Sequence, residues 1–252
     1  MNDSTIVCSL FGTFARHPHL AGGELAEDPY SMLVNRAESF GWDSVHSSAG
    51  ARPTLWAMHE AAESWVEASE PTNVAWFQVG LDAQRAGKRP PLPLAPLLAC
   101  ALQSARRVGQ LGLTGLQVLA PIHLAGDATD VLHAATRWFT EPAGGPERTV
   151  RVTLDAGPEW DVVTRKDEIA ETLSSTALRD LIRKVSPTSS HVAQTPSPAA
   201  VWLGTREHRR ASFELTVTEW GDDAAATLVV AAVEACRRAG VRTSVLVDVA
   251  AA

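Results

Sequence analysis

Residues 234–250 read EACRRAGVRTSVLVDVA, and residues 103–120 read QSARRVGQLGLTGLQVLA. Each stretch runs from a small residue through two arginines and a glycine into an apolar segment. Arg106 and Arg107 align with Arg237 and Arg238, and Gly109 aligns with Gly240, all at an offset of 131. Upstream, PLAPLLACALQSARRVG (93–109) and DDAAATLVVAAVEACRRAG (222–240) carry helical patterns. Cations in a last turn oppose the negative end of the helix dipole, and a following glycine accepts a left-handed cap. The doubled phrase therefore reads as the end of two equivalent helices, each leading into a strand: LTGLQVLAPIHLA (113–125) and RTSVLVDVA (242–250). In the second, Val245, Val247 and Val249 alternate onto one face.

The match extends upstream. NVAWFQVGLDA (73–83) aligns with RRASFELTVTEW (209–220) at an offset of 136, pairing Phe77 with Phe213 and Gln78 with Glu214. TIVCSL (5–10) aligns with TVRVTL (149–154) at an offset of 144. Three matched segments in the same order indicate an internal duplication. The second copy then reads as a strand (149–156), a helix over 165–185, a Pro/Ser loop, a short strand AAVWLGT (199–205), a strand from 211, a helix and a last strand. That order is β-α-β-β-α-β, the ferredoxin-like split unit. The first copy has the opening strand, a helix at 29–41, a strand at WDSVHSS (42–48), an extra helix at TLWAMHEAAESWVEA (54–68), then its third strand, helix and fourth strand. The division is residues 1–126 for the first unit, 127–148 for a linker helix (ATDVLHAATRWF) and loop, and 149–252 for the second unit.

Two such units in one chain resemble the dimeric α+β-barrel superfamily, in which two four-stranded sheets face each other with helices outside. The expected fold is thus α+β, a pseudo-dimeric barrel. The resemblance implies a ligand cavity between the sheets and supplies no catalytic motif. Alternation sorts the faces. Val150, Val152, Leu154, Phe213, Leu215, Val217, Val245, Val247 and Val249 should pack on helices, as should Ile6, Cys8, Leu10, Phe77, Val79 and Leu81. The opposite face carries Arg151, Thr153, Asp155, Ser212, Glu214, Thr216, Thr218, Trp220, Leu246 and Asp248 in the second copy. In the first it carries Val7, Ser9, Phe11, Trp76, Gln78, Gln117, Leu119 and His123, with Trp202 looking the same way. A polar end and an aromatic end would suit a hydrophobic ligand with some oxygenation. The ligand-binding set is Val7, Phe11, Trp76, Gln78, Gln117, Leu119, Arg151, Trp202, Glu214 and Leu246. Glu214, Asp248 and His123 are the acid–base candidates if the site is catalytic. The competing reading of the polar face is solvent exposure, with Arg151 and Glu214 as a cross-strand pair.

Composition narrows the classes. The chain has 252 residues, 45% hydrophobic and 20% charged, with a net charge of −7, which disfavours a general nucleic-acid binder. No apolar run reaches the roughly 20 residues that span a bilayer, and MNDSTIVCSLFGTF has no basic region followed by an apolar one, so no signal peptide is expected. Cys8, Cys100 and Cys236 form no CxxC spacing and read as core thiols in a reducing cytoplasm. With lysine scarce and arginine and alanine abundant, the composition suggests a high-GC genome such as an actinomycete's. His17 and His19 lack further ligands at metal spacing, and HEAAE (59–63) replaces the second histidine of HExxH with Glu63. The glycines after Val108 follow a helix rather than precede one, so no dinucleotide or P-loop site is read. No metal or cofactor is expected.

The leading expectation is a cytoplasmic protein that binds a hydrophobic small molecule. By resemblance to accessory barrel proteins of polyketide and enediyne clusters, the molecule would be a polyketide-like intermediate or product of natural-product biosynthesis. Its partners would be that ligand and a second copy in a homodimer, not nucleic acid or membrane. The alternatives are a cofactor-independent monooxygenase or cyclase of the same fold, and a structural or interaction protein without ligand.

Overall fold

The structure, a computed structural model, describes residues 4–20, 28–42, 54–81, 89–139, 146–175, 178–189, 197–203 and 208–252. Its strands are β1 (Thr5–Arg16), β2 (Ala57–Ala61), β3 (Ala68–Gly80), β4 (Gly109–Pro121), β5 (Arg148–Asp155), β6 (Ile182–Thr188), β7 (Arg210–Val217) and β8 (Ser244–Ala251). The helices are α1 (Pro29–Ser39), α2 (Leu94–Val108), α3 (Thr129–Thr136), α4 (Asp161–Thr164), α5 (Lys166–Leu173), α6 (Pro198–Leu203) and α7 (Asp222–Arg238). The fold is α+β. All described strand pairings are antiparallel, and they form one eight-stranded sheet in the order β2-β3-β1-β4-β8-β5-β7-β6. The expectation of two separate four-stranded sheets is corrected: β4 and β8 pair edge to edge and join the halves.

Read inward from either edge, the order is the second, third, first and fourth strand of that half. The registers agree as well. Ile6 opposes Val79 and Cys8 opposes Phe77, as Val150 opposes Leu215 and Val152 opposes Phe213. Cys8 opposes Val118 as Val152 opposes Val249. These equivalences use the offsets of 144, 136 and 131 that align the sequence segments. Across the central seam Gln117 opposes Asp248, so positions 131 apart meet each other.

One face of the sheet packs on α1, α2, α5 and α7. The alternating residues expected there (Ile6, Cys8, Leu10, Phe77, Val79, Val150, Val152, Leu154, Phe213, Leu215, Val217, Val245, Val247 and Val249) are all buried in a single core. Burying each large apolar side chain contributes about 1.5–3 kcal/mol, which fixes which way every strand faces.

Helix ends follow from local chemistry. Asp28 caps α1 by accepting from the Ser31 amide at 2.9 Å, and Pro29 starts the helix where no amide donor is needed. At the end of α7, Gly240 adopts φ +82, with its amide on Arg237 and the Val241 amide on Cys236. The expected match at Gly109 does not hold. Gly109 is extended (φ −163) and begins β4 directly. A Cβ there would lie 2.5 Å from the Ala15 carbonyl oxygen and 2.7 Å from the Phe14 ring, so glycine is required by close approach.

Several boundaries differ from expectation. Residues 54–68 do not form a helix: β2 runs through them, with Trp56 and Met58 buried while His59 and Glu60 are exposed. Trp65 stacks on Phe14 at 5.8 Å. The helix expected over 165–185 stops at Leu173, and its last residues form β6. AAVWLGT is not a strand, because residues 198–203 form α6. The strand expected at WDSVHSS falls almost wholly outside the described residues, and the linker helix is present as α3 followed by a 3-10 turn at Arg137–Phe139. Among the described residues, no helix is long and apolar enough to cross a membrane.

Candidate functional site: the far face of the sheet

The face away from the main helices carries the residues selected by alternation. Cross-strand partners share a face, so the registers place them in rows. Trp76, Ser9, Gln117, Asp248, Thr153, Ser212 and Thr188 form one row across seven strands. Beside it lie Gln78, Val7, Leu119, Leu246, Asp155 and Arg210. On the other side lie Phe11, Gly115, Ala250, Arg151, Glu214 and Ser186.

Most of this face is not open to solvent. Ser9 and Ser212 are fully buried, and Gln117, Thr153, Gln78, Val7, Phe11, Leu119 and Leu246 are buried too. The described cover is α6, which crosses from the second half onto β1, β4 and β8. Ala199 joins Val7, Leu119 and Leu246 in a small apolar cluster, flanked by Trp76, Ala200 and Leu203. Ser197 precedes the helix and fastens it. Its hydroxyl accepts from the Ala200 amide at 3.1 Å and donates to Gln117 Oε1 at 2.5 Å. Gln117 Nε2 in turn donates to Asp248 Oδ2 at 2.7 Å. Donors thus run in one direction and end on a carboxylate, an arrangement in which each bond strengthens the next.

The same face concentrates buried polar atoms that have no hydrogen-bond partner among the described residues. Ser9 Oγ, Asn73 Oδ1, Gln78 Oε1 and Arg151 Nε are all of this kind, and Asn73 opposes Phe11. An unmet buried polar group costs about 1–3 kcal/mol, so four on one face require a reason.

The acid–base candidates are not assembled together. Glu214 is exposed opposite Arg151 in one row, and Asp248 is half-buried and bound to Gln117 in the next. His123 sits beyond the end of β4 in a 3-10 turn, where its carbonyl accepts from Arg89. Trp202 lies in α6 rather than in a strand, and its side chain is outside the described residues. The structure presents an acidic centre not read as such in the sequence. Asp155 is fully buried, accepts from Arg210 Nε at 2.7 Å and from the Gly157 amide at 2.8 Å, and has His208 Nδ1 at 2.9 Å without hydrogen-bond alignment. Asp155 was legible as a far-face residue; His208 had no spacing signal linking it to Asp155.

The cysteines are set for packing. Burial pushes the Cys8 and Cys236 thiols up to about 12 and Cys100 to about 11, which removes the thiolate needed for nucleophilic chemistry. Among the described residues, no group of three or more His, Cys, Asp or Glu side chains is placed to hold a metal ion. Compared with protein-family profiles, with curated proteins and with solved structures, the chain matches none of them.

Proposed function

We propose that the chain is a duplicated pair of ferredoxin-like units, fused at β4 and β8 into a barrel-like sheet, and that its far face binds a hydrophobic small molecule under α6. The mirrored strand order and the matching registers support the duplication. The observation that carries the binding reading is the set of unmet polar atoms on this face: Gln78 in the row of the apolar Val7, Leu119 and Leu246, Ser9 in the next row, and Asn73 and Arg151 on the row beyond it. A hydroxyl both donates and accepts, so an apolar skeleton bearing hydroxyl groups can meet all four. A polyketide-like ligand in natural-product biosynthesis belongs to this proposal and rests on the superfamily resemblance alone.

The experiment pairs stability with binding. Gln78→Met and Ser9→Ala remove unmet groups while keeping much of the shape, so each should stabilise the free protein by about 1 kcal/mol. Emodin, a hydroxylated anthraquinone, should quench tryptophan fluorescence saturably through Trp76, and Gln78→Met should weaken it about tenfold. Absence of emodin binding, or destabilisation by both variants, overturns the proposal. A cofactor-independent enzyme on the same face is the second reading, favoured by the buried Asp155 against His208. It requires turnover of a bound substrate that His208→Asn abolishes without loss of emodin affinity.

A further inference from the structure

A cavity lies among the helices, on the opposite side of the sheet from the far face. It is a groove of about 600 Å³ between α2, α3 with its following 3-10 turn, and α7. That volume fits one small organic molecule rather than a protein segment. Its space comes from short side chains: Ala95 and Ala99 on α2, and Ala226 on α7, stand where larger residues would close it. Leu102, Phe139 and Val230, all buried, form the apolar wall. Trp138 lines it as well and is 72% exposed, a large aromatic face that the fold leaves uncovered.

The charged side chains that line the groove are both acidic. Asp222 and Asp223 are the charged residues among those lining it. Asp222 is neutralised, since both its oxygens are taken by Arg106. Asp223 is exposed and has no ion pair among the described residues. Gln103, the polar residue on the α2 side, already holds the Arg36 guanidinium through its Oε1. A ligand entering here meets an apolar wall, an indole face and one unpaired carboxylate, with no basic side chain among the described lining.

We propose that this groove binds a small aromatic or aliphatic cation, its apolar body against Leu102, Phe139 and Val230 and its positive charge held between Trp138 and Asp223. An indole face attracts a cation through its quadrupole, and the carboxylate adds Coulombic attraction while repelling anions. The site is independent of the far-face reading, because the sheet lies between them.

Two fluorescent dyes of similar size test the charge: thioflavin T, a cation, and anilinonaphthalene sulfonate, an anion. The full chain should bind thioflavin T saturably with one site and at least tenfold more tightly than the sulfonate. Ala226→Trp, which fills the groove, should abolish thioflavin T binding and leave emodin binding on the far face unchanged. Asp223→Asn and Trp138→Ala alter exposed side chains that carry little of the fold, and each should weaken thioflavin T three- to tenfold. Equal binding of both dyes, no effect of Asp223→Asn, or thioflavin T binding that survives Ala226→Trp overturns the proposal, as does failure of thioflavin T to bind at all.

Discussion

Glu234 is the most exacting test of how the second half is tied to the linker. It sits on α7 with 2% of its surface exposed, yet it carries a carboxylate. Arg237 donates to it through Nε and Nη2, both at 2.7 Å, Arg238 through Nε at 2.8 Å, and the Ala128 amide at 3.2 Å, so the hub joins α7 to the start of α3. Burial alone would raise its pKa. The two arginine side-chain bonds and the Ala128 amide outweigh that and hold it below the ordinary carboxylate range. Glu234→Gln keeps the shape and removes the charge. Removing one partner of a buried ion pair costs about 3–5 kcal/mol. Here the arginine side chains are 24% and 43% exposed and rehydrate in part, which brings the expected loss to about 2–3 kcal/mol. For a chain of this size that is a fall in melting temperature of about 5–10 °C. A carboxylate whose folded pKa is depressed contributes stability above its unfolded value, about 4.3, and loses it as pH falls through the folded pKa. The gap between wild type and Glu234→Gln, read by urea denaturation, should therefore be constant from pH 8 to about pH 5.5 and shrink below about pH 4. A gap under about 1 kcal/mol at neutral pH, or one that does not shrink in acid, refutes the reasoning.

Gly109→Ala should cost more than Gly240→Ala. The first places a Cβ 2.5 Å from a backbone oxygen, whereas the second has only the flexible Arg165 guanidinium within 4 Å and suffers from its φ of +82. We expect about 3 kcal/mol against about 1 kcal/mol in chemical denaturation; the reverse order would show that the β1–β4 contact yields easily. Arg106→Ala breaks an ion pair whose side chains are 47% and 23% exposed, so it should cost about 1 kcal/mol or less and less still in 1 M salt. A loss that salt leaves untouched would point to packing instead. The buried thiols of Cys8, Cys100 and Cys236 should resist a colorimetric disulfide reagent at pH 8 and react fully only in denaturant; rapid native modification of any of them would contradict their burial.

Burial on the helical side was legible because it rests on alternation, and a strand cannot slip by one residue without turning Val150, Val152 and Leu154 to the wrong side. The joins were not. Residues 54–68 carry helix formers such as Ala61, Ala62 and Glu63, while the deciding signal was two buried side chains, Trp56 and Met58, that only pairing with β3 makes visible. In 165–185, helical spacing persists through Leu178 and Ile182, but both are buried and Ile182 pairs with Val217, so tertiary pairing takes the end of the segment into β6. Misplacing that strand also misplaced AAVWLGT. The far-face rows were legible from the same alternation, and the site's cover was not, because α6 is too short to show a helical period. The Asp155–His208 approach joins residues whose meeting depends on how the chain returns to β7.

The position of that cover bears on how a symmetric sheet could acquire one specific site. The register of β4 with β8 runs symmetrically about the facing pair Gln117 and Asp248, residues that the sequence offset makes equivalent. Two identical side chains there would be constrained to the same role: two carboxylates would repel, and two carboxamides would carry no charge. An amide beside an acid lifts that constraint, since Gln117 can donate to Asp248 and still accept from Ser197. The symmetry is then broken a second time by chain length. The connection from β2 to β3 spans 62–67, whereas the one from β6 to β7 spans 189–209 and contains α6, which crosses the seam onto β1 and β4. The described cover, anchored on the central pair, makes the two ends of the face inequivalent, apolar and aromatic toward Val7 and Trp76, charged toward Asp155 and Arg151. If the far face binds one molecule in one orientation, that inequivalence is what selects it. A Gln117→Asp variant, which places identical residues at the centre, should release Ser197 and abolish orientation-specific quenching through Trp76 before it unfolds the sheet.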